Sequence, residues 1–147
     1  GGPESGGPES DGSDRRRITG RGPAARRSSP ARAGARLGPH ERIRKGWEYR
    51  QVYENARAQH GRAFVVFAQL GADLERRAGF VAGRRVGNAV KRNRSRRLLR
   101  EAYRRLKAEL PAQGFRLVFV ARSPCPGLSL SDIDHEMRRL LQRAGLL

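Results

Sequence analysis

The 147-residue chain contains one cysteine, one methionine and one tryptophan, and only 14 acidic residues against 32 lysines and arginines. A lone Cys125 excludes an internal disulfide and suits a reducing compartment, so a cytoplasmic location is expected. The three histidines, His40, His60 and His135, are scattered, with no second ligand at metal spacing. No window approaches the roughly 18 consecutive apolar residues of a spanning helix. No signal-peptide core follows a basic start. A membrane partner is therefore not expected, and the shortage of acids leaves a formal net charge of +18. Such an excess calls for a polyanion, and nucleic acid is the class that remains.

The charge is unevenly placed. Residues 1–40 carry eight arginines and four acids, whereas the stretch from Arg84 to Lys107 carries eleven basic residues and the single acid Glu101. Within it, "KRNRSRRLLREAYRRL" (Lys91–Leu106) holds seven arginines, one lysine and an uncharged Asn93 in the densest part. A solvated helix face with so few acids to answer its guanidiniums reads as a binding surface.

Residues 1–39 are rich in Gly, Pro, Ser and Arg, with Ile18 and Leu37 as the only large apolar side chains. Such a segment buries too little surface to offset its ordering entropy. A disordered tail over 1–39 and one folded domain over 40–147 are expected, and deletion of the tail should leave thermal stability nearly unchanged. From His40 the pattern becomes globular. In "ERIRKGWEYRQVYENARAQ" the apolar positions Ile43, Trp47, Tyr49, Val52, Tyr53 and Ala56 recur at helical spacing, with Tyr49 and Tyr53 one turn apart. "RAFVVFAQL" (Arg62–Leu70) reads as a strand with Phe64 and Val66 on one face and Val65 and Phe67 on the other. "GADLER" is expected as a loop and "AGFVAG" (Ala78–Gly83) as a second strand. Asn88 caps a helix from Ala89 to about Leu110, with Leu98, Leu99, Ala102, Tyr103, Leu106 and Leu110 as its apolar stripe. "FRLVFVA" (Phe115–Ala121) is a strand buried on both faces. A last helix runs from Asp132 to about Ala144, with Ser131 and Asp134 as an approximate capping box. The sum is a small α+β domain.

No catalytic constellation appears. Asp132, Asp134 and Glu136 fit capping and dipole compensation better than metal binding, and Ser95 has no partner for nucleophilic chemistry. Gly83 and Gly87 flank "RRV" as turn residues; alone they are a weak phosphate-loop signal. The basic helix is the informative feature. Arg92, Arg96 and Arg100 form one i, i+4 row, beside a second row of Asn93, Arg97, Arg100 and Arg104. Guanidiniums make planar contacts to phosphate, and an asparagine amide both donates and accepts.

"RRVGNAVKRNRSRRLLREAYR" (Arg84–Arg104) resembles the RNR signature of the bacterial ribonuclease P protein subunit, and "IRKGWEYRQVY" is similar to that family's first helix. The resemblance runs from about Ile43 to the C-terminus. Arg84, Arg85 and Arg96 stand where lysines are common, and Gly83 where a serine is usual. The resemblance implies a small mixed sheet packed by helices in the order α-β-β-(β)-α-β-α, with a left-handed βαβ crossover (ribosomal protein S5 domain 2-like). It implies that a large RNA is the catalyst and that one protein copy assists it in removing the 5′ leader of precursor tRNA. Mg²⁺ would then be held mainly by the RNA subunit and substrate, and no residue of this chain would be catalytic or a metal ligand. It also implies that Arg84, Arg85, Lys91, Arg92, Asn93, Arg96, Arg97, Arg100 and Arg104 face the RNA subunit. Tyr49, Tyr53 and Phe67 would line a cleft for the single-stranded leader. A ribosomal or other structural RNA-binding protein is the main alternative, and a self-sufficient nuclease a weaker one.

Overall fold

The computed structural model of the chain describes residues 37–147. Helix α1 (Gly46–Asn55) leads into strands β1 (Arg57–His60), β2 (Phe64–Glu75) and β3 (Arg77–Val81); helix α2 (Ala89–Leu106), strand β4 (Gln113–Ala121) and helix α3 (Leu130–Arg143) complete the domain. The four strands form one mixed sheet in the order β1-β2-β4-β3. β2 pairs antiparallel with β1 and β4, while β3 pairs parallel with β4. Parallel neighbours cannot be joined by a tight turn, so α2 serves as the crossover between them. This is the α+β order that the sequence pattern and the family resemblance lead one to expect.

β4 sits in the middle and is apolar on both faces. Phe115, Leu117, Phe119 and Ala121 join Phe64, Val66 and Ala68 of β2 in the main core beneath α2 and α3. Leu99, Ala102, Tyr103 and Leu106 supply the α2 side of that core, and Ile133, Met137, Leu140 and Leu141 the α3 side. Phe119 stacks on Phe80 with ring centroids 5.6 Å apart and meets the Tyr103 ring at 5.8 Å. On the opposite face Val118 packs with Ile43 and Val52 in a smaller cluster, which Tyr49, Phe67, Val81 and Val120 border.

Several boundaries differ from the pattern-based expectation, each for a local reason. The helical spacing of the first segment stops at Asn55, and Arg57–His60 pairs with β2 as an edge strand instead. The expected loop "GADLER" is largely strand: β2 continues to Glu75, with a register shift between Leu70 and Glu75. α2 ends at Leu106 and tightens into a 3-10 turn over Lys107–Glu109, while Leu110 stays buried. The capping box lies two residues earlier than expected. Ser129 Oγ accepts from the Asp132 amide at 3.1 Å, and Asp132 accepts from the Ser129 amide at 3.2 Å, so α3 starts at Leu130.

The domain also begins earlier. Leu37, assigned with the tail by its surroundings in sequence, is 7% exposed and belongs to the main core; residues 1–36 of the expected tail lie outside the described residues. A leucine of that burial contributes about 2 kcal/mol. A chain starting at Leu37 should therefore melt measurably higher than one starting at His40. Equal melting temperatures would show that Leu37 packs without contributing.

Glu48 pins α1 to the sheet. Its Oε1 accepts from the amides of Arg44 (3.1 Å) and Lys45 (3.0 Å), and its Oε2 accepts from Arg77 Nη1 at 2.8 Å. Burial pushes its carboxyl up, but the two amides and the cations of Arg77 and Arg116 outweigh that and hold it below the ordinary value of 4.5. A carboxylate depressed in the folded state stabilises above its unfolded pKa, and the contribution disappears as pH falls through the lower, folded value. Glu48→Gln should cost about 1–2 kcal/mol at neutral pH. In chemical unfolding across acid pH, the difference between wild type and variant should shrink as pH falls below the unfolded-state value and vanish once the folded-state carboxyl is protonated. A constant difference at every pH would exclude the charge as the cause.

Candidate nucleic-acid interface

The basic surface is built from the loop before α2 and one side of the helix. Arg84 and Arg85 are exposed on a 3-10 turn that the buried Val86 fastens to the core. Gly87 has φ +138°, and a Cβ there would lie 2.7 Å from the Lys91 side chain, so the turn into α2 requires glycine at this position. Asn88 then caps the helix, its side-chain oxygen accepting from the Lys91 amide at 3.0 Å.

The row nearest the core is held by carbonyl groups. Arg92 Nη1 donates to Gly87 O at 2.8 Å and Arg96 Nη1 to Ala82 O at 3.4 Å. Arg100 lies over the Phe80 ring, 5.9 Å from its centroid. Arg96 Nη2 also donates to Asn93 Oδ1. The asparagine's acceptor is thereby engaged, which turns its amide N–H groups to other partners. Asn93 orients an arginine and stays neutral where another cation would add repulsion.

Arg84, Arg85, Lys91 and Arg97 are not buried and make no ion pair among the described residues. Burial, followed by repulsion from Arg42, Arg96 and Arg97, lowers the Arg100 pKa. Arg42 thus belongs to the same field. It was not legible in the sequence, because it lies far upstream and reaches the patch only through a bridge to Ala78 on the free edge of β3. Arg104 differs from its neighbours: Glu101 neutralises it through hydrogen bonds of 2.6 and 3.1 Å. Arg94 points elsewhere, donating to Pro126 O at 2.7 Å and tying α2 to the turn before α3.

The three aromatics come together on the other face of the sheet. Tyr53 meets Phe67 edge-on at 4.9 Å, and the Tyr49 and Tyr53 ring centroids are 6.5 Å apart. Tyr49 is the anchored member: its hydroxyl donates to Ile43 O at 3.2 Å. Its ring lies so close to Gly79 that a Cβ there would approach within 2.7 Å, a dependence that periodicity could not disclose. Tyr53 is 40% exposed and gives the cluster its open surface. Burial raises both phenol pKa values, so the hydroxyls remain neutral donors.

The acids of α3 are engaged in structure. Asp132 closes the cap, Asp134 lies 3.5 Å from Arg138, and the buried Glu136 accepts from the Ala63 amide at 2.8 Å. No group of three His, Cys, Asp or Glu side chains suited to a metal ion occurs among the described residues. No helix among them is long and apolar enough to cross a membrane.

Comparison with known proteins agrees with this architecture. The ribonuclease P protein from Staphylococcus aureus superposes with a TM-score of 0.63 at 24% identity, covering 72% of this chain and 96% of that one. The likeness there is one of fold. The ribonuclease P protein from Thermotoga maritima gives a TM-score of 0.61 at 26% identity, with 70% and 96% covered. The ribonuclease P protein component of Alkaliphilus oremlandii is 32% identical over 106 residues, which is 72% of this chain and 92% of the relative. That of Clostridium acetobutylicum is 34% identical over 108 residues, 72% and 90%. The profile of the Ribonuclease P family matches residues 37–145, from the buried Leu37 through the last helix. With the basic crossover helix, the mixed sheet and this match in agreement, the chain belongs to the ribonuclease P protein family.

Proposed function

We propose that this protein is the protein subunit of a bacterial ribonuclease P. In this reading it assists a catalytic RNA in the endonucleolytic removal of the 5′ leader from precursor tRNA. The side of α2 that carries Lys91, Asn93, Arg97 and Arg100, together with Arg84, Arg85 and Arg42, binds the RNA subunit. The cluster of Tyr53, Phe67 and Tyr49 holds the single-stranded leader, because stacking accepts any base. The observation that carries the reading is the separation of the two surfaces: unpaired cations on a helix covering one sheet face, and a half-open aromatic cluster on the other. One protein would thus contact enzyme RNA and substrate at once, from the cytoplasm, with one copy per RNA. Mg²⁺ supplies charge neutralisation and an activated water at the scissile phosphate when bound, and in this reading RNA and substrate hold it. The α3 carboxylates do not suit that task, since they are committed to a cap, an ion pair and a buried amide.

Two outcomes follow for the reconstituted enzyme. Lys91→Ala/Arg97→Ala should weaken assembly with the RNA subunit and lower the log–log salt slope by about 0.7–0.9 for each phosphate no longer neutralised. An unchanged slope with the fold intact would exclude this face. Tyr49→Ala/Tyr53→Ala should cost about 1–3 kcal/mol per unstacked base. The loss should appear in the dissociation constant for precursors with leaders several nucleotides long, and not for those with one or two. The same leader-length dependence in both proteins would remove the cleft.

A further inference from the structure

At the N-terminal end of α1 lies a second basic surface, which adjoins the α2 field at Arg42 and extends beyond it and beyond the aromatic cluster. A hollow of 350 Å³ is bordered by Arg42, Arg44, Lys45, Trp47, Arg77 and Arg116. Strand alternation places Arg77 and Arg116 on the same sheet face as Phe67 and Val118, and the two arginines are register partners across β3 and β4. Five cations border the hollow, and Glu48 is its only carboxylate. Both Glu48 oxygens are taken, by the Arg44 and Lys45 amides and by Arg77. Arg77 Nη2 is taken by Glu75 at 2.9 Å. The side chains of Arg42, Arg44 and Lys45 make no ion pair among the described residues, and Arg116 makes only a 3.5 Å hydrogen bond from Nε to Glu75 O.

Among these cations stands Trp47, 53% exposed and in neither core cluster. An indole left open to water at a cluster of unpaired guanidiniums is unfavourable for an isolated domain: apolar area stays exposed and like charges repel. Both conditions are relieved by one kind of ligand, a base with its flanking phosphates. The indole offers a stacking face, and the arginines and lysine offer phosphate contacts. Trp47 precedes Tyr53 by about six helical residues, about 9 Å along the α1 axis. The two positions are about 120° apart around that axis, so what links the aromatic cluster to the hollow is the sheet face that carries Phe67, Arg77 and Arg116.

We infer that this hollow is a nucleotide subsite for single-stranded RNA, in which Trp47 stacks one base while Arg44, Lys45 and Arg116 bind the adjoining phosphates. That the strand is the distal part of a leader rests on the function proposed above; the subsite itself rests on the hollow.

Trp47 is the only tryptophan of the chain, so its emission reports on this position alone. The full chain is titrated with a twelve-nucleotide oligouridylate, followed by tryptophan emission, and in parallel with the same oligonucleotide end-labelled, followed by anisotropy. Saturable quenching that tracks the anisotropy is expected. Trp47→Ala should weaken binding by at least about fivefold in the anisotropy assay. Arg44→Ala/Lys45→Ala, which alters exposed side chains and keeps the capping amides, should shift both curves to higher concentration and flatten their salt dependence. Tyr49→Ala/Tyr53→Ala should weaken binding and leave the quench at saturation. Anisotropy that saturates with no change in emission, or wild-type affinity in Trp47→Ala, overturns the subsite and leaves the leader cleft standing. Quenching by polyglutamate equal to that by RNA would also overturn it, since a general anion site needs no base. Retained quenching with Tyr49→Ala/Tyr53→Ala indistinguishable from wild type supports the subsite and counts against the leader cleft.

Discussion

The domain depends on a strand that is apolar on both faces. β4 carries Phe115, Leu117 and Phe119 to one side and Val118 to the other, and a strand of that kind must be covered twice. α2 and α3 cover one face, while α1 covers part of the second. The parallel pairing with β3 then dictates that the connection is long and crosses the sheet, and α2 is that connection. A highly charged helix is held in place because Leu99, Ala102, Tyr103 and Leu106 are fully buried against the sheet. Partial coverage by the short α1 leaves Tyr53 and Phe67 at an edge of the second face. Two separate surfaces, one cationic and one aromatic, are thus a consequence of double-sided burial.

Acidic residues are few, and the described ones are largely engaged in the fold. Glu48 binds two helix-entry amides and Arg77, Glu101 binds Arg104, Glu109 binds Arg138, and Glu41 binds Lys107. Glu136 is buried against the Ala63 amide. Hardly any are left to neutralise the outward cations of α2 or those beside Trp47. The exposed pairs among these, such as Glu109–Arg138, contribute little individually, so the distribution of acids matters chiefly for where it leaves cations unanswered. Burial, then repulsion from Arg42, Arg96 and Arg97, lowers the Arg100 pKa in the free protein, and in the proposed reading approaching phosphates would relieve that repulsion.

Much of this was legible in the sequence where one residue's role is set by its immediate neighbours. Asn88 before a periodic run, the stripe of Leu99, Ala102, Tyr103 and Leu106, and the nearly continuous apolar run of β4 all form the elements that their patterns specify. The density of arginine on α2 marked the basic surface. What escaped depends on contacts between distant segments. Arg57–His60 has little strand character of its own and becomes one by pairing with β2. "GADLER" is polar like a loop but continues β2 through a register shift. Leu37 looks like part of a polar tail until the core beside it is formed. Arg42 enters the basic field only through its bridge to Ala78, and Gly79 matters only because Tyr49 lies across it. The division of the α2 guanidiniums into carbonyl-bound, acid-paired and unpaired members also depends on the folded arrangement.

The central claim is that this chain presents cations and aromatics to RNA and leaves the cleavage chemistry to a catalytic RNA. The most direct test measures Mg²⁺-dependent cleavage of a precursor tRNA by the purified protein alone, by a ribonuclease P RNA alone at low salt, and by the two together. The account predicts no cleavage by the protein, little by the RNA under those conditions, and accurate release of the 5′ leader by the mixture. Cleavage at the same site by the protein alone, or no gain when the two are combined, would contradict it.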